Sequence, residues 1–376
     1  MKKYLLTPGP VEVPPEVLQA AGRPLISHRC EEFSELFRRI EEKLHQLFES
    51  ASPVVILPSS GTGALECAAV NFLSEKDKFI SLSCGAFGDR FREIAERTGA
   101  RGLYADFEPG TAPDAASAAQ LVYDNPEAAA ILITHNETST GVTAQLEEII
   151  SALPRTESSP LVIVDGVSSV GAIECLPEKW GADVLCTASQ KGLMTPPGLG
   201  FVWLSNRALE RLSLRRSPSY YFDLKLHLKN MTAKSFANPY TPPVSLYFAL
   251  DAALDLILKD GKEAWFSKRK KYARAFAAAL EAAGFELFVK DPALRSPGLT
   301  AFFLKDGQNE AFRSRLSALG VTTAGGQGAL SAKLVRAAHY SDWGERELSE
   351  IIFAMCAANE TDAACPLKKA LDLFGA

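Results

Sequence analysis

The chain has no apolar run approaching the roughly 18–20 residues that a membrane-spanning helix requires. Met1-Lys2-Lys3 resembles the opening of a signal peptide, but Thr7-Pro8-Gly9-Pro10 interrupts the following apolar stretch after three residues, so no leader is expected. Charge of one sign is scarce: 40 basic and 45 acidic side chains leave a net −5. No basic face recommends nucleic acid or an anionic membrane as a partner. There is no Cys-x-x-Cys pair. The seven cysteines (Cys30, Cys67, Cys84, Cys175, Cys186, Cys356 and Cys365) are odd in number and scattered through mostly apolar settings, which reads as free thiols in a reducing compartment and places the protein in the cytoplasm. Internal repeats, low-complexity tracts and long linkers are also missing. What remains is an ordinary globular composition, 376 residues with 47% hydrophobic and 23% charged content, long enough for two domains or one large domain with an appendage.

The opening Leu5-Leu6-Thr7-Pro8-Gly9-Pro10-Val11 is an extended arm by its prolines. A short helix is expected over Glu16 to Ala21. A longer amphipathic one follows over Glu31 to Phe48, with Phe33, Leu36, Phe37, Ile40, Leu44 and Leu47 at helical spacing. From Val54 the pattern alternates. Strands are expected at Val54–Leu57, Lys78–Leu82, Ala128–Thr134, Leu161–Asp165, Asp183–Cys186 and Leu199–Leu204, and helices at Gly63–Leu73, Phe87–Thr98 and Gln145–Leu153. This alternation argues an α/β fold with a mostly parallel sheet covered on both faces. Beyond Ser245, helices (from Ser245, then Glu263–Ala283, Gln308–Leu319 and Glu345–Ala358) and strands (Thr300–Leu304, Lys333–Ala337) suggest a smaller α+β domain. The expected division is an arm over 1–20, a large domain over 21–250 and a small domain over 251–376.

One lysine stands out. Lys191 follows the apolar run Val184 to Cys186 and precedes Gly192, Pro196, Pro197, Gly198, Gly200 and the buried-strand run Phe201-Val202-Trp203-Leu204. Burying an unpaired ammonium costs several kcal/mol, roughly, so this lysine is either solvated, as most lysines are, or held for use. Upstream, Leu161-Val162-Ile163-Val164 ends in Asp165. An acid and a lysine at neighbouring strand ends of an α/β sheet suit pyridoxal phosphate chemistry, the lysine as Schiff-base former and the acid as partner of the pyridine nitrogen. The alternative for Asp165 is a carboxylate that caps the next turn.

Four further elements accompany the pair. Ser59-Ser60-Gly61-Thr62-Gly63-Ala64 joins a strand to a helix; it suits a phosphate at a helix N-terminus and equally a plain helix cap. It lacks the lysine of a nucleotide P-loop and the spacing of a dinucleotide fingerprint. Phe87 offers a ring to stack on a cofactor, or an ordinary core side chain. Thr134-His135-Asn136-Glu137-Thr138-Ser139-Thr140-Gly141 is more polar than a turn requires, and Thr138 is the candidate donor to a phenolic oxygen. Arg336, within Lys333-Leu334-Val335-Arg336-Ala337-Ala338-His339, suits a substrate carboxylate or a structural ion pair. His28 reads as a ligand-binding or a partly buried histidine near a helix start.

In order and spacing, these motifs resemble the class V, fold type I pyridoxal-phosphate aminotransferases of the alanine/serine–glyoxylate kind over nearly the full length. Thr7-Pro8-Gly9-Pro10 with His28-Arg29, Ser189-Gln190-Lys191 with Pro196-Pro197-Gly198, Tyr240-Thr241-Pro242-Pro243 and Gly325-Gly326-Gln327-Gly328 complete the match. The resemblance implies that Lys191 carries the cofactor, Asp165 pairs with its ring nitrogen, and Val167 packs opposite Phe87. It implies that Thr138 contacts the phenolic oxygen and that Ser60, Gly61, Thr62 and Gln190 hold the phosphate, with Thr241 reaching in from the other subunit of an obligatory homodimer. Arg336 would bind the α-carboxylate and Gly9 would line the substrate pocket. The chain departs from the pattern in three places. Phe87 replaces a tryptophan found in several relatives. Asn238 replaces a phosphate-binding tyrosine found in some, with Tyr240 a nearby candidate substitute. Ala337-Ala338-His339-Tyr340-Ser341 replaces the commoner Ile-Gly-His-Met-Gly.

The expected activity is transfer of an amino group from alanine or serine to glyoxylate or pyruvate by a ping-pong mechanism. A cysteine desulfurase or lyase on the same fold would need a nucleophilic cysteine on a mobile loop, and Thr322 to Ser331, read as that loop, has none. A non-catalytic subunit of a larger complex is the alternative from another class.

Overall fold

A computed structural model describes residues 3–232, 236–304 and 307–375. In chain order the strands are β1 (Tyr4–Leu6), β2 (Val54–Pro58), β3 (Lys78–Ser83), β4 (Arg101–Asp106), β5 (Ala130–Thr134), β6 (Asn136–Glu137), β7 (Val142–Thr143), β8 (Leu161–Asp165), β9 (Val184–Ala188), β10 (Leu199–Leu204), β11 (Glu286–Leu287), β12 (Leu299–Phe303), β13 (Val321–Gly325) and β14 (Val335–Ala338). Seven of them form the large sheet in the order β2-β10-β9-β8-β5-β3-β4. Only β10 runs against the rest, antiparallel to both β2 and β9, while β9, β8, β5, β3 and β4 pair in parallel. The inner strands are near-continuous apolar runs, buried along their whole length because helices cover both faces. The helix Glu31–Phe48 shows the logic of the covering layer: Phe33, Phe37, Ile40 and Leu44 turn one face into the core and the charged residues face out.

Because six strands share a direction, the loops after β2, β3, β5, β8 and β9 emerge at one edge of the sheet. Cross-strand register fixes their relative height, with Thr134 opposite Asp165 and Asp165 opposite Cys186. This carboxyl edge, where an open α/β sheet binds its ligands, carries the site.

The small sheet has the order β1-β13-β14-β12-β11 and its own core, formed with the helices Lys262–Ala282 and Glu345–Ala358. Three features differ from the sequence-based expectation. The first residues are more than an arm: β1 pairs in parallel with β13, Tyr4 opposite Val321, and so belongs to the small sheet. The helix Val244–Leu258 runs unbroken through residue 250, where the division between domains was expected. The segment from Thr322, read as a loop, begins as strand β13. All seven cysteines are unpaired, and among the described residues no helix is long and apolar enough to cross a membrane.

Candidate active site

Lys191 stands on a loop knitted to itself. The Ser189 hydroxyl donates to the Pro196 carbonyl at 2.8 Å and accepts from the Leu199 amide at 3.2 Å, while the Met194 amide donates to the Lys191 carbonyl at 2.9 Å. Met194 is held at φ 48°, a left-handed conformation rare for this residue type. Complete burial of Leu193 and Met194 keeps it there. The lysine is thus presented by a fixed turn. Its Nζ donates to the carbonyl of Pro8 at 2.5 Å and lies 5.9 Å from the centre of the Phe87 ring. Gly9 packs against it with φ +148°; a Cβ there would fall 2.6 Å from Nζ.

Asp165 ends β8, buried, with its Oδ1 accepting from the Val167 amide at 2.9 Å. Burial raises its carboxyl to about 7; the Val167 amide opposes this, and the charge of Glu137 adds to it. Burial lowers the Lys191 ammonium to about 8, with Asp165 pulling it up and Arg336 and Arg90 pushing it further down. Each group therefore titrates near neutrality, and each favours the charged form of the other.

The remaining walls follow from the neighbouring loops. Ser60 caps the helix Gly61–Phe72, its Oγ accepting from the Gly63 amide at 3.3 Å, and the first amides of that helix have no acceptor within it. Phe87 sits one residue into the helix Ala86–Glu96. Arg336, on β14 between β12 and β13, is buried; its Nε donates to the Gly325 carbonyl at 2.6 Å and its Nη1 to the Thr138 carbonyl at 2.9 Å. Burial lowers its pKa, partly offset by Glu137.

Ser60, Gly61, Thr62, Phe87, Thr138, Asp165, Val167, Gln190 and Lys191 line one cavity of about 120 Å3, together with Leu65, Arg90, Asn136 and Ser168. Gln190 Oε1 is buried on its wall without a partner. A helix N-terminus for an anion, a flat apolar ring, a carboxylate and an amine poised near neutrality fit a phosphorylated aromatic aldehyde. Among the described residues, no cluster of histidine, cysteine and acidic side chains is suited to a metal.

The class-V aminotransferase family matches residues 3–341. The chain belongs to this family. Its relatives include a soluble hydrogenase small subunit from Synechococcus sp. (strain PCC 6716), 35% identical with 94% of this chain and 92% of the relative covered. A serine–glyoxylate aminotransferase from Hyphomicrobium methylovorum is 33% identical, covering 81% of this chain and 76% of its own. Among solved structures, a ureidoglycine–glyoxylate aminotransferase from Bacillus subtilis superposes with a TM-score of 0.93 at 26% identity, over 100% of this chain and 99% of that one. The fold is that of the fold type I aminotransferases.

Of the residues expected at the site of this class-V aminotransferase, nine line the cavity. Gly9 reaches it through Lys191, and Arg336 through the Thr138 carbonyl. Thr241 is exposed and does not line it. Tyr240 is engaged elsewhere: it stacks on Tyr221 at 4.5 Å, donates to the Tyr221 carbonyl at 2.5 Å and lies 2.9 Å from His227 Nε2. Asn238 is structural, donating to the Ile56 carbonyl at 2.9 Å and accepting from the Tyr247 hydroxyl at 2.7 Å. His339 is a core histidine 3.1 Å from the Thr300 hydroxyl, and His28 is half-buried. Sequence reasoning assigned no role to Arg90, Asn136, Glu137 or Ser168. Asn136 and Glu137 lay within the polar stretch after β5, whose density was the one available signal; Arg90 lay three residues beyond Phe87, the same helix face.

Proposed function

We propose that this class-V aminotransferase binds pyridoxal 5′-phosphate at Lys191 and moves an amino group from a small amino acid, alanine or serine, to a small 2-oxo acid, glyoxylate or pyruvate. The observation that carries this reading is the pairing of Lys191 and Asp165 across one cavity, each brought near neutrality by burial. When bound, the cofactor supplies an aldehyde to accept the amino group and a ring that delocalises the electrons left on the substrate carbon. Asp165 is placed to hold a proton on the ring nitrogen. Phe87 and Val167 would hold the ring, and Thr138 would hydrogen-bond its phenolic oxygen. Ser60, Gly61, Thr62 and Gln190 take the phosphate at the helix N-terminus. Lys191, neutral in a substantial fraction near pH 8, moves the proton at the substrate α-carbon. Arg336 grips the α-carboxylate, and Gly9 leaves the lysine room to move.

Assigning the carboxylates of donor and acceptor alike to Arg336, beside one small cavity, supports alternating half-reactions in place of simultaneous binding. Thr241, exposed on its own chain, is assigned to the neighbouring site of a homodimer, and the unpaired cysteines suit a reducing cytoplasm. The likeness to a protein named as a hydrogenase subunit supports a second reading, a non-catalytic subunit on this scaffold.

The test adds amino acids singly to the purified holoprotein while the absorbance of the bound cofactor is followed. Alanine or serine should shift the band, and glyoxylate or pyruvate should restore it. Silence toward both donors removes the assigned substrates; a colourless protein that takes up no cofactor favours the subunit reading. Lys191→Ala should retain the cofactor without a covalent bond and lose at least ~10³-fold in kcat. Normal turnover by that variant removes Lys191 from its role.

A further inference from the structure

Glu137 is a buried carboxylate, 1% exposed, to which the reaction as described gives no part. Both oxygens are saturated. Oε2 accepts from the amides of Phe87 and Gly88 at 3.0 Å each, and Oε1 accepts from the Ser139 amide at 2.9 Å and its hydroxyl at 2.6 Å. No basic side chain among the described residues forms an ion pair with it. Two of its four donors are first-turn amides of the helix Ala86–Glu96, whose N-cap residue, Gly85, has no side chain to cap it. The cap arrives instead from another part of the chain, the hairpin of β6 and β7 on which Glu137 lies. The opening it enters is made by Gly85, where a Cβ would lie 2.5 Å from Ser139 Oγ and 2.6 Å from Glu137 Cγ. Ser139 closes the arrangement by accepting from the Ala86 amide at 3.1 Å.

The same turn serves the opposite wall. Thr138, the next residue, offers the carbonyl that receives Arg336 Nη1. We propose that Glu137 is the positioning residue of the site: its carboxylate anchors the amide of Phe87, and through the Thr138 carbonyl it sets the distance between the stacking ring and the carboxylate-binding arginine. A negative charge on helix amides is favourable in itself, but a cap delivered from the β6–β7 hairpin also joins the helix that carries Phe87 to the turn whose Thr138 carbonyl holds Arg336. The charge raises Asp165 as well. This proposal rests on the transaminase reading above.

The experiment uses holoprotein that has already shown reversible absorbance changes with its donor; absence of that response in the wild type defeats the transaminase reading, not this one. Glu137→Gln presents an NH2 group to amides that need an acceptor. It should lower kcat/KM by about 10²-fold, the usual effect of displacing a site group by ~1 Å, with KM for the oxo acid raised and the circular dichroism of the bound cofactor altered. Removing the charge should also move the acid limb of the kcat/KM profile to lower pH. In a double-mutant cycle, Phe87→Ala should cost much less in the Glu137→Gln background than in the wild type, because both act through one wall. A folded Glu137→Gln enzyme with wild-type kcat/KM, or losses that multiply in the double variant, overturns the proposal. Should Glu137→Gln fail to fold, Ser139→Ala reports on the same anchor: a several-fold loss with the same spectral change supports the proposal, and wild-type behaviour overturns it.

Discussion

Adding one methyl group at Gly9 tests the geometry of the lysine directly. A Cβ at this position lies 2.6 Å from Nζ, 2.7 Å from Cε and 2.8 Å from Cδ of Lys191. Ordinary carbon contacts are about 3.5–4.0 Å, so the overlap is close to 1 Å along the whole end of the side chain. A lysine is flexible and will swing aside, which keeps the steric cost to the fold small. The backbone adds its own cost, because φ of +148° is glycine territory; about 1–3 kcal/mol is expected. The site suffers more than the fold. A reacting group displaced by ~1 Å loses about 10²-fold in rate, and the hydrogen bond to the Pro8 carbonyl goes with it. Gly9→Ala should therefore melt only a few degrees lower while kcat falls about 10²-fold and the covalently held fraction of cofactor drops. Steady-state kinetics, thermal denaturation and borohydride trapping measure the three quantities. Pro8→Ala, which retains the carbonyl, is the control and should stay near the wild type. Gly9→Ala activity within threefold of the wild type would mean that Lys191 works from a position other than the one seen here.

Two other outcomes are expected. Arg336→Lys keeps the charge but cannot reach the Gly325 and Thr138 carbonyls while presenting a planar fork to a carboxylate; KM for every donor and acceptor should rise about 10- to 10²-fold with a smaller change in kcat, and unchanged KM values would reassign the arginine to a structural role. Acid should unfold the protein early. Burial lowers His135 and His339 to about 3 and His227 to about 4, so the unfolded chain binds more protons than the folded one from near pH 6.5 downward, and stability is lost across that window. Asp165, raised to about 7, opposes this, because its folded form binds the extra proton between about 7 and its ordinary 3.8. The three histidines outweigh it, leaving a net loss on the order of 5 kcal/mol between pH 7 and 4.5. Urea titrations of cofactor-free protein at the two pH values measure it, and equal stability at both would contradict the burial of these rings.

The elements legible in the sequence were those whose apolar pattern has no competitor. Glu31–Phe48, Leu161–Asp165, Leu199–Leu204 and Glu345–Ala358 have the observed limits because their buried faces repeat without interruption. Strand β4 was not legible: it is the sheet's edge, Arg101 and Asp106 face solvent, and its residues are at most half-buried. The helix Ala115–Asp124 buries only Ala118 and Val122, too little to announce a face. The pairing of β1 with β13 joins segments at opposite ends of the chain, and no local pattern encodes so distant a contact. At the site, residues with unusual chemistry for their setting (Lys191, Asp165, Arg336) stood out. Glu137 did not, because its meaning lies in which amides it reaches, and whether Tyr240 lay near the cavity of its own chain could not be read from its position; it contacts Tyr221 and His227 instead.

The segment from Tyr4 to Gly9 links the two sheets mechanically. Tyr4 to Leu6 form the rim of the small sheet, and two residues later the same stretch of polypeptide touches the Lys191 amine, presented from the edge of the large sheet. There is no slack in a span that short, since each extended residue covers only about 3.3–3.6 Å. Any displacement of the small sheet would therefore be passed to the Pro8 carbonyl, and the position of Lys191 is tied to a sheet on which it does not itself lie.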